Sequence, residues 1–182
     1  KIIIISHRGR PDSPNDNDLS LILVRNYLEQ KLNMKIYFTN LSDYLTIDPT
    51  LISEKIILLE NIRYYPEETK LLPTTNEFRE RLTELGDIFV NDAFGCSHRA
   101  HSSIVGINTS EKCCGFLIEQ ERLYLQNIFK NTGKFTLILG GSKISDKIKL
   151  INNLIPKIHN ILIGGGMAFT FLKYFGTKIG NS

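Results

Sequence analysis

The sequence predicts an α/β fold, a parallel sheet with helices on both faces in a Rossmann-like three-layer sandwich. Short isoleucine-rich runs alternate with longer segments of helical period, which is the pattern of βαβ units. The short runs are almost continuously apolar, as strands covered on both faces are. Two of them open directly into glycine-rich turns, the connection that lets backbone amides approach an anion.

Six strands are predicted in order: Ile2 to Ser6, Lys35 to Thr39, Lys55 to Glu60, Ile88 to Asn91, Phe135 to Leu139 and Asn160 to Ile163. Between and after them, helical period predicts helices at Leu19 to Leu32, Asn76 to Leu85, Ile118 to Lys130, Ser145 to Leu154 and Met167 to Tyr174. Asp18, Asn76 and Ser145 are the expected N-caps. The stretch Glu67 to Thr75, with Pro73 and Thr74-Thr75, reads as a surface loop.

After Lys130, the run Asn131-Thr132-Gly133-Lys134 is a helix stop, and the domain boundary is placed there. Residues 1–117 then form one α/β domain, 118–134 a connecting helix and linker, and 135–182 the beginning of a second domain. The chain starts inside a strand at Lys1, and two strands with two helices cannot close a core alone. Both domains are therefore expected to be incomplete.

With 182 residues, 42% apolar and 23% charged, the chain belongs among soluble globular proteins. A net charge of +3 is too small to argue for a nucleic-acid partner. Cys96, Cys113 and Cys114 make an odd count without a Cys-x-x-Cys pair, which argues against a disulfide framework and for a reducing compartment. No apolar run approaches the roughly 20 residues that span a bilayer, and no signal or transit segment precedes the first strand.

The run Phe135 to Leu139 opens into Gly140-Gly141-Ser142-Lys143, with Lys147 one helical turn further on. Glycines allow close approach of an anion, a following helix N-terminus offers free amides, and lysine adds a full charge. A similar device follows Asn160 to Ile163 at Gly164-Gly165-Gly166-Met167. Neither fits the P-loop or the dinucleotide fingerprint, and either alone could be a tight turn. Two of them on neighbouring strands suggest a nucleotide.

Ligands of open α/β sheets bind beyond the carboxyl ends of the strands. The first strand delivers Ser6-His7-Arg8-Gly9-Arg10-Pro11-Asp12, the third Glu60-Asn61-Ile62-Arg63, and the fourth a segment from Asn91 through His98, Arg99 and His101 to Ser103. Converging arginines suit a small molecule with phosphate at one end and carboxylate at the other. The plainer reading pairs each arginine with an acid such as Asp12, Glu60 or Asp92. His98 and His101 have a spacing that zinc can use, but no second ligand pair stands at a recognisable interval, and no metal site is assigned. Cys96 reads as an inert thiol.

Six motifs carry a family resemblance: SHRGRPD at Ser6 to Asp12, LLENIRYYPEE at Leu58 to Glu68, GDIFVNDAFGCSHRAHSS at Gly86 to Ser103, GFL at Gly115 to Leu117, LGGSKISDKIKLINNL at Leu139 to Leu154 and IGGGMAFTFLK at Ile163 to Lys173. In this order they closely resemble phosphoglycerate kinase. The resemblance implies a fragment of a two-domain, hinge-closing enzyme of glycolysis. Such an enzyme passes a phosphoryl group between 1,3-bisphosphoglycerate and ADP, giving 3-phosphoglycerate and ATP.

By the resemblance, His7, Arg10, Arg63, His98 and Arg99 bind the triose. Lys143 steadies the moving phosphoryl group, and Gly141, Ser142, Lys143, Lys147, Gly164, Gly165 and Gly166 contact the nucleotide. It also implies Mg2+ carried with ATP or ADP on a protein ligand outside this chain, a monomer, no nucleic-acid or membrane partner, and a cytoplasmic or alternatively plastid location. The fragment alone is expected to be inactive. The alternative reading is an inactive truncated relative that only binds a small phosphorylated anion. Arg8 stands where leucine is usual and Cys96 where threonine is common.

Overall fold

The computed structural model describes residues 1–13, 17–130, 133–141 and 145–181. Two compact units divide the chain, Lys1–Glu121 and Arg122–Ser182. Both are α/β, with parallel strands throughout.

The first unit runs β1 (Ile2–Ile4), α1 (Ile22–Leu32), β2 (Ile36–Thr39), α2 (Leu41–Tyr44), β3 (Ile56–Leu59), α3 (Thr75–Thr83), β4 (Ile88–Asn91), α4 (Ser102–Val105) and β5 (Glu111–Cys114), and enters α5 (Phe116–Lys130). A three-stranded sheet has the order β1-β3-β2, and β4 pairs with β5 separately. Because β3 is the middle strand, its side chains face packed layers alternately. Ile57 and Leu59 join Leu41, Tyr44, Phe78, Leu82 and Ile107 in the larger core, while Leu58 points the other way against Leu21 and Ile36. That two-sided burial is why the strand reads as an unbroken apolar run. Phe78 and Leu82 reach the core together because they lie four residues apart on α3.

The six predicted strands are present, each within a residue or two of its expected bounds. β5 was not legible: its sequence Glu-Lys-Cys-Cys has no apolar run, because every residue of this edge strand is exposed. The short helices α2 and α4 were also missed. Asn40 is a true N-cap, its side chain accepting the Asp43 amide at 2.8 Å, but it heads only one turn of helix.

Asp18 and Asn76 do not cap the helices they were expected to cap. Asp18 lies in a 3-10 turn ahead of α1, Asn76 lies inside α3, and Ser145 opens a 3-10 turn ahead of α6 (Ile148–Leu154). At α1 two other groups meet the first amides: Ser20 Oγ accepts the Ile22 amide at 3.1 Å, and Glu60 accepts the Leu21 amide at 2.8 Å and the Ser20 hydroxyl at 2.6 Å. The predicted loop Glu67 to Thr75 is not wholly at the surface. Pro66–Glu68 is a 3-10 turn, and Glu68 is only 3% exposed.

The second unit contains β6 (Thr136–Leu139), α6, β7 (Asn160–Ile163) and α7 (Gly166–Tyr174), with β6 and β7 paired in parallel. Met167 is fully buried at the start of α7. Asn131 and Thr132 of the expected helix stop lie outside the described residues. No helix among the described residues is long and apolar enough to cross a membrane.

Candidate functional site

In the parallel sheet β1, β2 and β3 all end on the same edge, so the segments after β1 and β3 emerge side by side. They are tied by hydrogen bonds. The Ile62 amide donates to Ser6 O at 3.1 Å, and the fully buried Asn61 side-chain amide donates to Arg8 O at 2.8 Å and Leu19 O at 2.9 Å. The Arg63 guanidinium donates to Gly9 O at 2.6 Å. Gly9 is required at its place: its φ is +61°, and a Cβ would stand 2.7 Å from a Leu19 methyl.

The segment after β4 joins this edge, with Cys96 Sγ 3.7 Å from His7 Nε2. Arg10, Pro11, Arg63, Thr69, Arg99 and His101 line one cavity of about 210 Å³. Three of the five residues assigned to the triose, Arg10, Arg63 and Arg99, therefore meet. His7 stands beside the cavity, where the Arg63 and Arg99 charges act on it. His98 is exposed and is not in the lining; its Nε2 accepts from Arg99 Nε at 3.3 Å.

The arginines are not spent on nearby acids. Among the described residues no ion pair involves Arg10, Arg63 or Arg99. Two of the acids that could have neutralised them serve backbone amides instead. Glu60 holds Leu21 and Asn61, and Asp92 accepts the Ile118 amide at 3.0 Å. The Arg63 Nε is buried without a partner.

Uncompensated positive charge has a titration consequence. Burial first, and then the charges of Arg63 and Arg99 among others, lower the pKa values of His7 and His101. At neutral pH both imidazoles are therefore uncharged. His101 Nδ1 lies 3.6 Å from Glu68 Oε1, a polar contact that becomes an ion pair only on protonation. Since both values are lowered, the folded protein binds these protons less well than the unfolded chain. The stability they contribute is present above their ordinary value near 6.5 and is lost as pH falls through the lowered values.

Residue-type reasoning gave Thr69 and Pro11 no role, and Glu68 none either. His101 was noticed for its spacing from His98, yet it reaches the cavity because α4 begins immediately after it.

The second unit carries the glycine-rich turns. Gly141 has φ +138° and Gly165 +65°, and a Cβ on Gly165 would meet Gly141 N at 3.1 Å. The two turns are thus in backbone contact, and the Met167 amide in the first turn of α7 donates to Gly141 O at 2.8 Å. A Cβ on Gly141 would come within 2.9 Å of Lys147 Nζ, so that lysine folds back over the turn. Gly164 and Gly166 flank Gly165 at the α7 N-terminus, where amides and the helix dipole favour an anion. Ser142 and Lys143 lie outside the described residues.

A family model described as phosphoglycerate kinase matches residues 1–182. Phosphoglycerate kinases of Dictyostelium discoideum and of Clostridium botulinum (strain Hall) are 45% and 43% identical to the chain, over 100% of it and 47% of their own length. Among solved structures, phosphoglycerate kinase from Coxiella burnetii aligns with a TM-score of 0.78 at 34% identity, covering 100% of this chain and 46% of its own. The enzyme from Pyrococcus horikoshii OT3 gives a TM-score of 0.77 at 27% identity, with 99% and 47% coverage. The chain spans about half the length of the relatives it matches.

Proposed function

We propose that this chain, which belongs to the phosphoglycerate kinase family, supplies the triose pocket and part of the nucleotide cradle of an enzyme interconverting 1,3-bisphosphoglycerate and ADP with 3-phosphoglycerate and ATP. The observation that carries this reading is the convergence of Arg10, Arg63 and Arg99 on one cavity with no acid paired to them among the described residues. Planar guanidinium forks suit the phosphate and the carboxylate of 3-phosphoglycerate, and their mutual repulsion is relieved when such an anion enters.

Phosphoryl transfer needs positioning and charge stabilisation more than a covalent nucleophile. Arg10, Arg63 and Arg99 would fix the triose, with His7 and His98 at the margin of the pocket. The Gly141 and Gly164 to Gly166 turns, with Ser142 and Lys147, would hold the nucleotide phosphates. Lys143 would stabilise charge on the group in flight. Magnesium would enter on the nucleotide, where it neutralises phosphate charge, with its protein ligand outside this chain. Residues 1–117 would constitute the triose domain, 118–134 the connection and 135–182 the start of the nucleotide domain. The proposed location is the cytoplasm, with a plastid as the alternative, and the proposed state is a monomer.

The test is a coupled assay on the full-length protein containing this chain. ATP-dependent phosphorylation of 3-phosphoglycerate is expected with magnesium and not after its chelation. A folded product without turnover would overturn the proposal.

A further inference from the structure

We propose that Glu68 is a positioning residue for the anion cavity, clasping the start of α4 so that the Arg63 segment and the His98–Arg99 segment keep their places around it. The inference rests on the reading of that cavity as the 3-phosphoglycerate site. Glu68 is buried, five residues beyond Arg63 and one before Thr69, which itself lines the cavity. Its Oε2 accepts the Ser103 amide at 2.9 Å, its Oε1 accepts the Ser103 hydroxyl at 2.7 Å, and the same Oε1 lies 3.6 Å from His101 Nδ1. From the other side, the Ser102 hydroxyl donates to Glu67 O at 2.7 Å and accepts from Arg79 Nε at 3.2 Å. Residues 67–68 and 101–103 are thus stitched together at the point where both feed the cavity.

A carboxylate suits this place because the groups facing it are donors. A buried acid without such partners would be costly. Burial raises the Glu68 pKa, while the Ser103 bonds and the nearby Arg63 and Arg79 charges act in the opposite direction. Glutamine fills the same volume and can accept the Ser103 amide. Its NH2 group must then face the Ser103 hydroxyl and His101, so the hydroxyl has to turn from donor to acceptor, and the negative charge beside Arg63 and Arg79 is lost.

The experiment uses the full-length protein and compares Glu68→Gln, Ser103→Ala and the double variant with wild type, well below each unfolding temperature. Dissociation constants are measured for 3-phosphoglycerate and for MgATP. Glu68→Gln is expected to weaken 3-phosphoglycerate binding roughly five- to tenfold, with MgATP binding unchanged. Ser103→Ala should have a smaller effect in the same direction. The double variant should be no weaker than Glu68→Gln alone, since both changes break one contact.

A lowered unfolding temperature with unchanged 3-phosphoglycerate affinity would overturn the inference, and so would equal losses for both ligands or full additivity of the two changes. Wild type that binds no 3-phosphoglycerate would instead overturn the functional reading beneath it.

Discussion

Replacing Lys143 with alanine in the full-length enzyme is expected to lower turnover by about two to three orders of magnitude, the scale of losing one preorganised stabiliser of transition-state charge. Both Michaelis constants should change little. The expectation follows from its place in Leu139-Gly140-Gly141-Ser142-Lys143, at the end of β6. The neighbouring Gly141 packs against Gly165, Lys147 folds over the same turn, and the α7 N-terminus opens beside it. Losing a group that acts on the phosphoryl in flight lowers turnover and efficiency together. Steady-state kinetics at saturating magnesium decides the matter. A raised Michaelis constant for ATP with normal turnover would assign Lys143 to ground-state binding.

The second large effect is expected at Arg63. Arg63→Ala should weaken 3-phosphoglycerate binding by about 2–3 kcal/mol, roughly thirty- to a hundred-and-fiftyfold, the value of a charge-assisted hydrogen bond in a partly buried site. ATP affinity should be unchanged. Part of the loss will come through the segment after β1, because the Arg63 guanidinium also holds Gly9 O at 2.6 Å, next to Arg10. Titration calorimetry with each ligand separates the effects. Equal losses for both ligands would indicate a damaged fold rather than a lost contact.

Much of the fold could be read because the strands, β5 apart, are short apolar runs, even though β4, β6 and β7 leave Ile88, Val90, Ile138 and Leu162 exposed. β3 buries Ile57 and Leu59 on one face and Leu58 on the other, so burial and sequence pattern coincide. β5 breaks the pattern: an exposed edge strand has no reason to be apolar, and Glu-Lys-Cys-Cys carries no signal. The cap of α1 was misplaced at Asp18: Ser20 Oγ accepts the Ile22 amide at 3.1 Å, while the Leu21 amide is met by Glu60, a partner distant in sequence that no local motif reports.

The arginines of the cavity could be found because each lies in a segment that leaves a strand end, where α/β sheets place ligands. The acids could not be sorted by the same argument. Glu60, Glu68 and Asp92 all lie within seven residues of Arg63 or Arg99, yet all three serve backbone amides. The role of Glu68 in particular depends on α4, a single turn of helix with no periodic signature.

The measurement that tests the central claim most directly is histidine-resolved NMR of the full-length protein during titration with 3-phosphoglycerate. The imidazole signals of His7, His98 and His101 are expected to shift. The titrations of His7 and His101 should also move to higher pH, because the anion offsets the Arg63 and Arg99 charges that lower them. His159, which accepts the Phe135 amide at 3.2 Å in the second unit, should stay still. If none of the three responds, or if His159 shifts as much as they do, the arginine-lined cavity is not the 3-phosphoglycerate site.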